Sequence, residues 1–191
     1  MTRDTTSQQF FDDKYRQCDD PWNFGNSAYE SKRYARILRA LGGRNYRRAF
    51  EPGCSIGILT SQLATVCARV EAMDISEIAV GKARQHWRSL RNIEFICGRL
   101  PHDFPDGPFD LIVFSELGYY FSEDALASLG NALVQRLDRD GVLLAVHWLG
   151  VSADHILAGD QVHDILRELS GITLDHSVRH EAFRLDRWSR N

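Results

Sequence analysis

An acid and two glycines stand together in Phe50-Glu51-Pro52-Gly53-Cys54-Ser55-Ile56-Gly57-Ile58-Leu59-Thr60. Glu51 precedes Gly53 by two places, and Gly57 follows four places later. Tyr46-Arg47-Arg48-Ala49-Phe50 reads as a strand, and the residues from Ile56 open an apolar, helix-like stretch. A strand, a tight glycine turn and a helix start make a cradle for a nucleotide-like ligand. Glycine lets the backbone approach closely, and the first N–H groups of a helix have no intrahelical partner. Asp74, after Arg69-Val70-Glu71-Ala72-Met73, puts a second carboxylate at the tip of the next strand, where it can accept from ribose hydroxyls. The other reading of Asp74 is a cap for the helix that follows, with Ser76 beside it. The glycine spacing is not GxGxxG, and a tight turn without a ligand is the plain alternative. Glu51 favours one ligand chemistry: a carboxylate beside the turn repels a pyrophosphate and suits an ammonium and a sulfonium.

Further along, Ser115-Glu116-Leu117-Gly118-Tyr119-Tyr120 ends a strand with a carboxylate and two phenols. Such a polar wall can orient an amine or a hydroxyl, and Glu116 is the candidate to accept a proton from an attacking nitrogen. Otherwise Glu116 is a solvated loop acid, and one of the two tyrosines is core packing. His147, in Ala145-Val146-His147-Trp148, either reaches the same rim or is a satisfied strand-end histidine. His155 and His163 are eight residues apart, a spacing that matches no compact metal motif, so no metal is expected. In Tyr29-Glu30-Ser31-Lys32-Arg33-Tyr34, the guanidinium of Arg33 suits a carboxylate ligand, or the segment is a solvated helix face.

The elements that position these residues alternate in type. Helix 28–41 ends at Gly42-Gly43; strand 46–51 leads to helix 56–67, and strand 69–73 to helix 76–90. Strand 93–97 is followed by a proline-rich loop, then strand 110–115, helix 123–137 and strand 141–147. Leu126, Leu129, Leu133 and Leu137 keep helical spacing, as do Ala79, Ala83, Trp87 and Leu90. Ser76 and Ser122 can cap their helices. Strands 110–115 and 141–147 are almost wholly apolar, which suits parallel strands covered on both faces. This alternation predicts a doubly wound α/β sheet with ligands beyond the carboxyl ends of the strands. After helix 160–170, strands 173–178 and 183–188 predict an antiparallel hairpin. Residues 1–27 are polar with scattered aromatics, and Asp20-Pro21-Trp22 predicts a turn.

The chain has 191 residues and a net charge of −3, which predicts one domain and argues against a nucleic-acid backbone partner. No stretch approaches the roughly 20 apolar residues of a membrane span. The polar start Met1-Thr2-Arg3-Asp4-Thr5 leads into no apolar signal core, and the four cysteines show no CxxC spacing. A reduced, cytoplasmic setting is expected.

Glu51-Pro52-Gly53-Cys54-Ser55-Ile56-Gly57 with Asp74 resembles motif I of the class I S-adenosylmethionine (SAM) methyltransferases. The resemblance narrows to the nodulation protein S (NodS) branch through three segments: Asp20-Pro21-Trp22 with Tyr29-Glu30 downstream, Arg48-Ala49-Phe50-Glu51-Pro52-Gly53-Cys54, and Ser115-Glu116-Leu117-Gly118-Tyr119-Tyr120. It runs from about Tyr15 to Arg187. It implies a Rossmann-like, seven-stranded sheet, mostly parallel with a C-terminal antiparallel hairpin, in a core over 44–191; in residues 1–27 the aromatics Tyr15, Trp22 and Phe24 either cover the site as a lid or cap or simply pack into the core. It implies SAM as cofactor, S-adenosylhomocysteine as its product, and transfer of the methyl to an amine of a small molecule or oligosaccharide.

The resemblance also distributes roles. Gly53 approaches the methionine part, Glu51 organises its ammonium, and Arg33 or Tyr34 reaches its carboxylate. Gly57 completes the turn, Asp74 takes the ribose, and Ile75 offers an apolar face to adenine. Gly98 stands where many relatives carry an acid, so adenine falls to backbone atoms of Gly98 and Arg99 with Leu100 on the ring; an ordinary loop start at 98–100 is nearly as good a reading. Ser115 borders the cofactor, and Glu116, Tyr120 and His147 are the catalytic candidates. Ser55, in a position often held by glycine, is a departure. An NAD(P)-dependent oxidoreductase and a catalytically silent SAM-binding module remain as alternatives.

Overall fold

The computed structural model describes residues 4–191; residues 1–3 of the polar N-terminus lie outside them. The strands form a seven-stranded sheet in the order β3-β2-β1-β4-β5-β7-β6. In chain order these are β1 (Tyr46–Pro52), β2 (Cys67–Asp74), β3 (Ile93–Cys97), β4 (Phe109–Ser115), β5 (Leu137–Trp148), β6 (Ile172–Arg179) and β7 (Phe183–Arg190). The helices are α1 (Gln8–Gln17), α2 (Ala28–Ala40), α3 (Ile58–Leu63), α4 (Glu77–His86), α5 (Glu123–Arg136) and α6 (Gly159–Arg167). The described residues divide into two compact units, residues 7–104 and residues 105–191 with residues 4–6.

In the first unit β1 pairs with β2 and β2 with β3, all parallel, so the carboxyl ends of the three strands share one edge. Ser76 caps α4 by accepting from the Ala79 N–H, and Ala79, Val80 and Ala83 form its buried stripe. The helix after β1 is shorter than the sequence predicts. Gly57, at φ +81°, is its N-cap, and the chain turns out of α3 after Leu63 so that Cys67 can pair with Tyr46. The sequence reading also missed α1, which Ser7 caps and which buries Phe11 and Tyr15, one helical turn apart. Asp20 makes the expected turn: its carbonyl accepts from Asn23, and its carboxylate accepts from the Phe24 and Gly25 N–H groups.

In the second unit β4 pairs parallel with β5, and every residue of β4 is buried, as strands covered on both faces require. Ser122 caps α5, which carries Leu126, Leu129 and Leu133 inward. Strand β5 begins directly at the end of α5, where Leu137 pairs with Phe109 ahead of the expected start. β7 runs antiparallel to both β5 and β6, completing the hairpin. No helix among the described residues is long and apolar enough to cross a membrane.

Candidate functional site

The carboxyl ends of β1, β2 and β3 carry the first group of candidates. Gly53 sits at φ +76°, a left-handed conformation that side chains resist, and its N–H donates to the Met73 carbonyl at 2.7 Å. Ser55 has φ +53°; its N–H donates to Asp74 Oδ2 at 2.8 Å, and its Oγ accepts from Tyr15 at 2.5 Å. Asp74 Oδ1 accepts from the Ser76 N–H at 2.9 Å. The Asp74 carboxylate thus ties the glycine turn to the start of α4, next to the Ser76 N-cap, as its structural reading expects. Gly57 has a packing reason for being glycine: a Cβ there would lie 2.8 Å from Trp87 and 2.9 Å from Phe95.

Glu51 is buried at the end of β1, and among the described residues its Oε2 has no hydrogen-bond partner. Burial pushes its carboxyl up to about 8, with Thr60 offsetting part of the rise and Asp74 adding to it. Burial also raises Asp74, to about 6, against the hydrogen bonds from Ser76 and Ser55. Two buried carboxyls held toward neutrality suit a cationic ligand and disfavour a phosphate.

Arg33 is also buried, with Nη2 2.5 Å from Glu30 Oε2 and its guanidinium over the rings of Tyr29 and Tyr34. The reading of this segment as a solvated face therefore fails for Arg33. Ile75 is half-buried. After β3, the Gly98 N–H donates to the Asp74 carbonyl at 3.0 Å and the Arg99 N–H to Asp103 Oδ2 at 2.8 Å. Both amides expected to read adenine are engaged within the protein; Leu100 is buried and the Arg99 side chain exposed. α1 is docked on this unit through Tyr15 on Ser55, Asp12 accepting from Ser76 Oγ at 2.5 Å, and Lys82 donating to the Tyr15 carbonyl at 2.6 Å.

A second group gathers at the carboxyl ends of β4 and β5. Ser115 is buried at the last position of β4. Glu116 follows at φ +55°; its Oε1 accepts from the Trp148 N–H at 2.7 Å and its Oε2 from the Tyr119 hydroxyl at 2.9 Å. Glu116 is therefore a fixed acid, not a freely solvated one. Tyr119, which stacks on His155 at 3.7 Å between centroids, is its phenolic partner. Tyr120 is buried in the 3-10 turn Gly118–Tyr120 with its ring edge-on to Tyr119 and His155.

His147 does not reach a rim. It is wholly buried, with Nε2 3.0 Å from the Gly118 N–H and Nδ1 3.2 Å from His163 Nε2. His163 Nδ1 in turn lies 3.0 Å from Asp186 Oδ2, which also accepts from Arg184 Nε at 3.1 Å. Burial raises the Asp186 carboxyl, but hydrogen bonds from His163 and Ser177 with the Arg184 charge outweigh it and hold the group at about 2. Burial lowers His163, partly offset by Asp186. Sequence reasoning weighed His155 and His163 only as metal ligands and did not single out Asp186. Asp186 left one trace, a carboxylate between the apolar Leu185 and Trp188 of a buried strand.

A family model described as nodulation protein S (NodS) matches residues 4–159. The nodulation protein S of Bradyrhizobium diazoefficiens is 31% identical over 147 residues, covering 75% of this chain and 69% of that protein. Among solved structures, a candidate methyltransferase from Pseudomonas syringae is 39% identical with a TM-score of 0.77, over 86% of this chain and all (100%) of that one. The N-methyltransferase NodS of Bradyrhizobium japonicum, solved with S-adenosylhomocysteine, shares the fold at a TM-score of 0.84 and 23% identity, over 97% of this chain and 99% of that one. The chain belongs to the nodulation protein S family and is an S-adenosylmethionine-dependent methyltransferase.

Proposed function

We propose that the chain N-methylates a primary amine carried by a small molecule or glycoconjugate. The observation that carries this reading is Glu116, a carboxylate fixed by the Trp148 N–H and the Tyr119 hydroxyl beside the stacked faces of Tyr119 and His155. Each carboxylate oxygen accepts more than one hydrogen bond, so Glu116 keeps capacity for an amine N–H while held in place. Aromatic faces beside a carboxylate also suit a group that becomes cationic. When bound, SAM supplies a sulfonium methyl that an amine lone pair displaces, leaving a neutral thioether and a methylated ammonium. Glu116 orients the amine and takes the proton that its nitrogen gives up; Tyr119 fixes the carboxylate.

In the first unit Glu51 accepts the ligand ammonium, and the glycine turn at Gly53 lets the backbone approach the methionine part. Arg33 and Tyr34 border that end. Asp74 keeps its two backbone bonds and offers its remaining acceptor capacity to the ribose. Because the Gly98 and Arg99 amides are engaged, adenine contact at this loop falls to backbone carbonyls, with Ile75 and Leu100 as apolar flanks. α1 serves as a cap, latched by Tyr15 on Ser55. The serine that departs from the common glycine thus gains a partner.

Calorimetric titration with SAM, S-adenosylhomocysteine and NAD tests the cofactor. A turnover assay follows with primary amines, glucosamine and short amino-sugar oligomers among them, against matched alcohols. SAM binding with methylation of amines alone is expected. NAD binding without SAM, SAM binding without any turnover, or turnover of the alcohols only would each defeat the reading.

A further inference from the structure

A hydrogen-bonded chain runs beneath the Glu116 turn, from the Gly118 N–H through His147 and His163 to Asp186, with contacts of 3.0, 3.2 and 3.0 Å. The three side chains are each 0% exposed. The ends of the chain fix its protons. An amide N–H only donates, so His147 Nε2 must accept; an ionised carboxylate only accepts, so His163 Nδ1 must donate. The middle contact is then satisfied in one way, His147 Nδ1–H donating to His163 Nε2. Both rings are neutral and both carry their proton on Nδ1. Arg184 Nε at 3.1 Å and Arg167 Nε at 3.5 Å from Asp186 Oδ2 hold the acid end ionised.

We propose that His163 and Asp186 are positioning residues, acting through His147 to set the 115–121 turn and with it the Glu116 carboxylate. The proposal rests on the reading of Glu116 as the group that meets the methyl acceptor. Gly118 is built for this contact: a Cβ there would stand 3.0 Å from His147 Nε2 and 2.4 Å from Val162 Cγ1. Glu116 is at φ +55°, a backbone conformation that a non-glycine residue keeps only where its surroundings hold it. Its side chain is tied to Trp148, the residue after His147, so a shift of the imidazole moves both anchors of the turn. An apolar core residue would fill the space of His147 but would leave the Gly118 N–H buried without a partner.

The test uses the ¹⁵N-labelled full chain. Long-range proton–nitrogen spectra of the wild type should show His147 and His163 neutral and protonated on Nδ1. His163→Phe removes the acceptor for His147 Nδ1–H. It should change the His147 tautomer, speed hydrogen exchange at the Trp148 amide and lower turnover of glucosamine and the other panel amines by about 10²-fold, the cost of misplacing a reacting group by about 1 Å. SAM affinity should stay within about twofold, since the chain touches no cofactor candidate of the first unit. His163→Gln, whose carbonyl can accept from His147, should restore the tautomer and most of the turnover. A His147 protonated on Nε2 in the wild type overturns the proposal whether or not the variants fold. So does a folded His163→Phe with unchanged Trp148 exchange and turnover. Glu116→Gln tests the underlying reading separately: it leaves both tautomers as they are, so either idea can fail alone.

Discussion

Glu51 and Asp186 are both carboxylates buried in strands, yet their surroundings drive them in opposite directions. Each has one oxygen without a hydrogen-bond partner among the described residues, yet Glu51 is pushed up to about 8 while Asp186 is held at about 2 by His163, Ser177 and Arg184. Burial raises both, so the difference lies in the partners. The acid in the second unit meets its charge partners on its own chain, with the Arg184 guanidinium and the His163 imidazole N–H both on Asp186 Oδ2. Among the described residues no cation offsets the burial of Glu51, which suits the cationic ligand proposed for it. A buried charge left to an outside partner marks a binding site better than burial alone does.

The contrast breaks most completely at Gly53. A valine at φ +76° is strained, and its side chain would fill the approach proposed for the methionine part. Gly53→Val should abolish SAM binding by calorimetry while leaving the Asp186 network and its histidine tautomers in place. Normal SAM affinity in that variant would show that the cradle lies elsewhere.

The second unit gives the next largest effect. Glu116→Gln keeps the shape of the side chain but removes the charge proposed to take the amine proton. Turnover on the active amine should fall by roughly 10²–10⁴, the range for general-base catalysis, with SAM affinity nearly unchanged. Wild-type turnover would leave Glu116 a structural acid and pass its role to Tyr119.

Asp74 sharpens the comparison because it belongs to both types. It is raised like Glu51 yet accepts two backbone N–H groups, as a structural acid does. Asp74→Ala should weaken SAM by about tenfold to a hundredfold, from the loss of a charge-assisted hydrogen bond worth roughly 1.5–3 kcal/mol. Thermal stability should also drop, because the Ser55 and Ser76 amides lose their partner. Lost stability with unchanged SAM affinity would assign Asp74 to structure alone.

What could be read from the sequence follows the same division. The cradle is local in sequence: Glu51, Gly53 and Gly57 lie within seven residues, and Asp74 ends the next strand, so spacing alone brought them forward. The strands and helices were legible from periodicity, and Ser76 and Ser122 from their place before apolar runs. α1 escaped because its buried face is only Phe11 and Tyr15 in a polar segment, although their four-residue spacing was the available signal. The His147–His163–Asp186 chain joins β5, α6 and β7, and no short-range pattern predicts a hydrogen bond between residues 23 positions apart. Choosing Tyr119 over Tyr120 likewise needed the 3-10 turn, which aims Tyr119 at Glu116.

The smallest effect separates the two regions by pH. In the ligand-free protein Glu51 is protonated below about 8 and Asp74 below about 6. A cationic ligand favours the ionised acids, so SAM binding releases protons. Affinity should rise by up to about tenfold per pH unit between pH 6 and 8 as Glu51 ionises on its own. Stability of the ligand-free protein moves the other way. A carboxyl raised from 4.5 to about 8 contributes most below its unfolded value, and that contribution is lost as pH rises through the folded one. The second unit has the opposite sign. His163 is lowered from 6.5 and Asp186 from 3.8, so their contributions are present at neutral pH and lost on acidification. Glu51→Gln should therefore flatten the affinity profile between pH 6 and 8 and bind SAM more weakly at pH 8. By scanning calorimetry without ligand, it should gain stability over the wild type between pH 7 and 8.5, where the His163–Asp186 pair no longer titrates. A Glu51→Gln variant that kept the wild-type slope of SAM affinity would remove Glu51 from the ammonium site and leave Asp74 as the acid that the cofactor meets.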